Sequence, residues 1–233
     1  MNDDLWQQID EQHFSVPLRQ RLGRHGFRVG LAGAPIPVRL SNLLELDDKA
    51  LPAGQANQVD VARIEVEPHV QRRHMSLRVG KHGDIVASRI YDRLAVPTYE
   101  SGQLSMRTYS QAQGHLIVEA FPQSDGRVLL KLTPELRHGQ SRVTPRPFVG
   151  NEAFFQLASS QPCRVFDDLS ISATVSPGAM LILSCLPDRA GSLGHHFFSC
   201  DNGRLEQKLL VVRLSQTQHD DSLVAGEILP LRE

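Results

Sequence analysis

The sequence is poor in the features by which chains most readily disclose their chemistry. Its 233 residues include three cysteines, one tryptophan and three tyrosines, and aromatics make up only 6%. Cys163, Cys185 and Cys200 contain no C-x-x-C pair, which excludes a zinc ribbon and a redox dithiol. Their odd number leaves two options: one disulfide with a free thiol, or free cysteines packed as small hydrophobes. Neither sign of charge dominates, with 25 Lys+Arg against 26 Asp+Glu and a net charge of −1. That excludes the basic footprint of a nucleic-acid or anionic-membrane binder. No run approaches the roughly 18 apolar residues of a transmembrane helix. The few aromatics also argue against the girdles of a membrane barrel. The N-terminus, MNDDLWQQIDEQHF, has neither a positive n-region nor an apolar h-region. Taken literally, this predicts a cytoplasmic chain.

The apolar fraction of 40% is too high for a disordered chain and fits one large or two small globular domains. Residues 1–48 read as a small α/β module. A helix carries Leu5, Trp6 and Ile9. Ser15 and Pro17 mark the start of a second helix, and Gly26 sits at its C′ position. FRVGL at 27–31 alternates as a strand, and Ile36, Leu40, Leu43 and Leu44 form a helical stripe. Residues 49–58, KALPAGQANQ, are the linker candidate. From 59 to 214 the character is β: VDVARIEVEP, MSLRV and DIVAS about a GKHG turn, QLSMRTY, HLIVEAF, RVLLKLTPEL, AFFQL, RVFDDLSISATV, AMLILSCL, HHFFSC and EQKLLVVRLS. Turn residues recur between them, including Ser124–Gly126, Pro177-Gly178 and Asn202-Gly203. The predicted class is α+β, mainly β: the N-terminal module followed by an antiparallel β domain, sandwich- or barrel-like. HLIVEAF and RVLLKLT alternate, so one face of that sheet is expected to be polar. Residues 215–233 read as a polar tail. This division predicts that the β domain stays folded when the chain is cut at about residue 58.

Catalytic signatures are thin. G-x-S-x-G does not occur. Gly30 and Gly33 lack the third glycine and the Lys-Ser/Thr of a phosphate loop, and read as a turn. His195, His196 and Cys200, with Cys185 on a preceding strand, are candidate metal ligands. Read as a strand, HHFFSC points its two histidines to opposite faces. Ser192, glycine-flanked beside His195, is a candidate nucleophile for a hydrolase. The alternative reading is therefore a soluble β-domain metal-binding protein or hydrolase. Arg72 and Arg73 between His69 and His74 form a local basic run, read as a solvated loop. Asp167-Asp168 marks a bend before ISATV, with Arg164 as a surface ion-pair partner. His219-Asp220-Asp221 lies in the polar tail, where nothing would fix its geometry. No cofactor is expected.

One ordered series remains, from about 127 to 214. VLLKLTPEL carries Pro134. Arg164-Val165-Phe166 leads into LSISATV. Pro177-Gly178 turns into AMLILSCL, which ends at Leu186. Leu193-Gly194 precedes Phe197-Phe198, and EQKLLVVRL closes the series. This order resembles the C-terminal domain of bacterial secretins, the outer-membrane rings of type II and III secretion and type IV pili. Ser184-Cys185 stand where that family has paired glycines. The whole chain also resembles a bacterial family to which no activity is assigned. The resemblance implies a non-enzymatic protein that acts by self-association or protein-partner binding. It implies structural roles for Pro134, Arg164, Gly178, Leu186, Gly194 and Phe198. It also implies a periplasmic or outer-membrane setting, with membrane contact only through a larger assembly.

Overall fold

The computed structural model describes residues 3–43, 70–100, 103–147, 155–201 and 205–215. The expected linker at 49–58, the VDVARIEVEP strand, His69, the Asn202-Gly203 turn and the tail from 216 onward lie outside them. The chain opens with helices α1 (Asp3–Trp6) and α2 (Val16–Arg24), strand β1 (Phe27–Ala32) and helix α3 (Val38–Leu43). Pro17 stands in the first turn of α2, and Gly26 beyond its end takes φ +79°, as the sequence predicts. Six strands follow: β2 (His82–Val86), β3 (Tyr91–Glu100), β4 (Gln103–Pro122), β5 (Val128–Arg137), β6 (Arg142–Pro147) and β7 (Phe155–Ser160). Then come β8 (Cys163–Val165), a 3-10 turn (Asp167–Leu169), β9 (Ile171–Val175) and β10 (Met180–Cys185). Helix α4 (Leu193–Phe198) and strands β11 (Ser199–Asp201), β12 (Leu205–Gln207) and β13 (Leu210–Arg213) complete the order.

The class is α+β, mainly β, built from open antiparallel sheets. Among the described residues none closes into a barrel. The larger sheet runs β2-β4-β5-β8, with β9 also on β5 and β3 on the first half of β4. The smaller sheet runs β1-β10-β13. Leu181, Leu183 and Cys185 of β10 and Phe27 and Val29 of β1 face the larger sheet. There they meet Leu116, Val118, Leu130, Leu132, Ile171 and Ala173 in one core. Met180 and Ile182 point the other way, into a second cluster with Leu5, Trp6 and Ile9 near α1 and Leu40 of α3. Strand β10 is therefore buried at every residue, which is why it reads as an unbroken apolar run.

Three local readings change. MSLRV is not a strand: β2 starts at His82, inside the expected GKHG turn, because its partner is β4 and not the preceding segment. QLSMRTY and HLIVEAF are one 20-residue strand. Gln111, the only non-glycine with positive φ among the described residues (49°), kinks the strand there without shifting its register against β3. Tyr109 and Ala112, three apart, both point inward as a result. HHFFSC is helical over its first four residues, for reasons given below.

The pairing also crosses the division expected at 49–58. Strand β1 of the first 48 residues is the antiparallel neighbour of β10, from Phe27↔Cys185 to Ala32↔Met180. Deleting residues 1–48 strips one side of β10 and uncovers Met180 and Ile182. Each large side chain so exposed forfeits about 1.5–3 kcal/mol. The 49–233 fragment is expected to bind a hydrophobic dye and to melt without cooperativity; a soluble fragment with a sharp melt would contradict the shared sheet.

Candidate functional site

The candidate residues of the sequence gather unevenly. Leu186, Gly194 and Phe198 meet at one end of β1 and β10. The Leu186 N–H donates to the Gly26 carbonyl (2.9 Å) and the Gly194 N–H to the His25 carbonyl (2.8 Å). A Cβ on Gly194 would overlap the Gly26 carbonyl, so the first turn of α4 seats directly on the backbone before β1. The Ser192 hydroxyl donates to the Arg189 carbonyl (2.6 Å) and accepts the His195 N–H (3.2 Å), capping α4. Phe197 and Phe198 set their rings edge-on to Phe27, at 5.6 and 6.1 Å. The cap and this tertiary seat make a helix from a segment whose aromatics favour a strand.

The helix alters the histidine geometry. His195 and His196 stand with ring centroids 5.7 Å apart. The His196 ring lies edge-on to Tyr91 (5.6 Å), whose hydroxyl donates to the His196 carbonyl (2.9 Å). The Arg89 guanidinium lies 5.1 Å over the Tyr91 ring. Burial, with a smaller contribution from the neighbouring His195, pushes His196 below the ordinary histidine value. Burial raises the Tyr91 phenol. His195 is held by Ser199, whose hydroxyl donates to the His195 carbonyl (2.5 Å). None of Cys163, Cys185 and Cys200 forms a disulfide; they are exposed, buried and half-buried in turn. The Cys185 thiol donates to the Phe198 carbonyl (3.6 Å), and burial raises its pKa. Among the described residues, no three His, Cys, Asp or Glu side chains come together to hold a metal ion. Ser192 is engaged as a cap on both its donor and its acceptor side.

Pro134 and Arg164 lie on the larger sheet. Strand β5 is flanked there by β9 up to Leu132↔Ile171 and by β8 from Glu135↔Val165. The 3-10 turn at Asp167–Leu169 fills the gap, and the Pro134 carbonyl accepts the Phe166 N–H (3.0 Å). The missing proline N–H faces this same break in the ladder, which is where a central strand tolerates one. Arg164 places its guanidinium 5.9 Å over the Phe166 ring. Gly178 turns between the two sheets at φ +86°. Asp167 and Asp168 are exposed on the 3-10 turn, and Arg72, Arg73 and His74 are exposed as a solvated stretch would be.

Sequence reading missed one constellation. On the polar face of the larger sheet, His115 Nδ1 bonds Asp84 Oδ1 (2.7 Å), and Arg137 bridges Asp84 Oδ2 (2.6 Å) and Glu135 Oε1 (2.8 Å). Burial pulls the Asp84 carboxyl up, but the bonds from His115 and Arg137 outweigh it and hold the group below its usual value. One rung reads Val86, His115, Glu135 and Val165 across four strands. The alternation of HLIVEAF places His115 on the polar face. Nothing in the sequence reveals that β2 brings Asp84 beside it. The chemistry available here is ion pairing of Arg137 on β5 with Asp84 on β2, and the His115–Asp84 hydrogen bond that ties β4 to them.

No protein-family model, curated protein or solved structure matches the chain.

Both depressed groups make the fold acid-sensitive. A lowered folded-state pKa gives stability that is complete above the unfolded pKa and lost as pH falls through the folded one. His196 therefore starts to cost stability below about pH 6.5, and Asp84 below about pH 4. Melting temperature should fall in two stages on acidification. His196→Gln should flatten the first and leave the second; an unchanged first stage would remove His196 as its cause.

Proposed function

We propose that this chain is a non-enzymatic, secretin-like assembly protein of a bacterial envelope, acting by self-association or by binding protein partners. The observation that carries the reading is where the resemblance-bearing residues stand. Pro134 marks the change of ladder partner on β5, and Gly178 the turn between sheets. Leu186, Gly194 and Phe198 lock α4 to β1 and β10. These are joints of a framework and not parts of a reactive cleft. Where the family has two glycines, the Ser184 hydroxyl donates to the Lys208 carbonyl (2.7 Å) and the Cys185 thiol reaches α4. The same strand is thus fastened by side chains.

A framework of this kind acts through its edges. The outer edge of β3 and those of the β6–β7 pair meet no other described strand. Unpaired N–H and C=O groups along such edges are templates for another strand. The polar outer face of the larger sheet suits contact with water or a lumen. Near-zero net charge adds no self-repulsion to oppose assembly. No helix among the described residues is long and apolar enough to cross a membrane, so membrane contact belongs to the larger assembly in this reading. Size-exclusion chromatography with light scattering on the full chain tests it. A mass above that of one chain, rising with concentration, is expected. A strict monomer across the micromolar range, with no association with detergent or membrane, would overturn the self-association that the proposal rests on.

A further inference from the structure

The smaller sheet has two edges, and they are treated differently. Beyond β1, the chain at Ile9 and Asp10 adds a bridge: the Asp10 N–H donates to the Leu31 carbonyl (2.8 Å) and the Leu31 N–H to the Asp10 carbonyl (2.9 Å). Gly30 lets this segment approach, since a Cβ there would overlap the Ile9 side chain. That edge is bridged at Leu31. Beyond β13, no described strand pairs.

The exposure of β13 locates its opening. Leu210 and Val212 pack against the main core, and Leu209 and Val211 against the helix-side cluster. Both faces are therefore covered, yet Leu210, Val211 and Val212 all remain half-exposed. The neighbouring β10 is buried at every position. Exposure that ignores the alternation of faces comes from the side, along the strand edge. By contrast β9, also last on its side of the larger sheet, keeps Ile171, Ala173 and Val175 nearly fully buried.

The hydrogen-bond phase of this edge is fixed. The Leu214 N–H donates to the Ala179 carbonyl, and the Leu214 carbonyl accepts the Gly178 N–H, so residue 214 points its backbone toward β10. Alternation turns the N–H and C=O of Leu209, Val211 and Arg213 outward. Natural edges are blunted by inward charges, prolines or bulges. The outward-bonding run here is Leu, Val, Arg, with its single charge at one end.

We infer that β13 pairs antiparallel with β13 of a second copy, about a two-fold axis through Val211. Only registers that place like parity opposite like keep both apolar faces aligned. Centring on Val211 sets Val211 against the partner's Val211, and Leu209 against the partner's Arg213. Each of these pairs can exchange two backbone hydrogen bonds, using the groups that point outward. Leu210 falls opposite the partner's Val212 on the core side. The two Arg213 side chains lie at opposite ends of the ladder, and each can lay its stem over a leucine. The result joins two three-stranded sheets into one. Four-residue edges bury less than a standard interface, so the pair is expected to be concentration-dependent. The inference deepens the self-association reading and rests on it.

The test uses the full chain and light scattering across a dilution series. Wild type should pass from dimer to monomer on dilution. Val211→Lys sets like charge against like at the axis and should abolish the dimer, as should Val211→Glu. An equimolar mixture of the two should restore it. Arg213→Pro removes an outward N–H at an exposed position without touching the β10 ladder. It should weaken the dimer by roughly tenfold to a hundredfold. Trp6 emission, from the cluster beneath Val211, reports whether each variant is folded. Because Arg213 is exposed, its variant keeps the test decisive if those at Val211 fail to fold. A dimer that survives Arg213→Pro at full affinity would overturn the β13 pairing and leave self-association standing. A wild-type monomer throughout would overturn both.

Discussion

The burial of β10 on both faces is the constraint on which the rest of the structure depends. A strand of Met, Leu, Ile, Leu, Ser and Cys has no polar side to give to water, so both its faces must be covered. The larger sheet covers one and the N-terminal helices the other. Its single polar side chain away from the thiol, Ser184, is satisfied by the Lys208 carbonyl. The first 43 residues and the last described ones are therefore parts of one packed unit: β1 and β13 flank the same strand.

Close backbone approach follows from this arrangement. Gly30 admits the Ile9–Asp10 crossing that bridges one edge at Leu31, and Gly194 admits the seat of α4 on Gly26. The α4 region, tempting as chemistry, is spent on closure: Ser192 caps, Phe197 and Phe198 fill, and Tyr91 holds the His196 carbonyl. What is left unspent lies at strand edges and on the polar face of the larger sheet. That is why the functional reading is one of assembly.

Where local chemistry decides conformation, the sequence was a good guide. Pro17 and Gly26 bound α2 as expected, the alternation in HLIVEAF gave the right face to Leu116 and His115, and the apolar run 180–185 is a buried strand. It was a poor guide where partners are distant. MSLRV alternates, but β2 takes β4 as its partner, about thirty residues on. LGHHFF has strand-like composition, and only a cap and a tertiary seat make it helical. Asp84, His115, Glu135 and Arg137 come from three strands whose pairing no local signal encodes. The composition shift near residue 50 is real in the sequence, yet β1 crosses it to reach β10.

Hydrogen exchange read peptide by peptide across a denaturant series tests the central role of β10 most directly. Peptides over 27–32 and 180–185 should be among the slowest to exchange, and should open together with the same denaturant dependence, as strands of one cooperative unit. If 27–32 exchanges at low denaturant while 180–185 stays protected, the N-terminal segment is a separate module and the account of a single shared sheet fails.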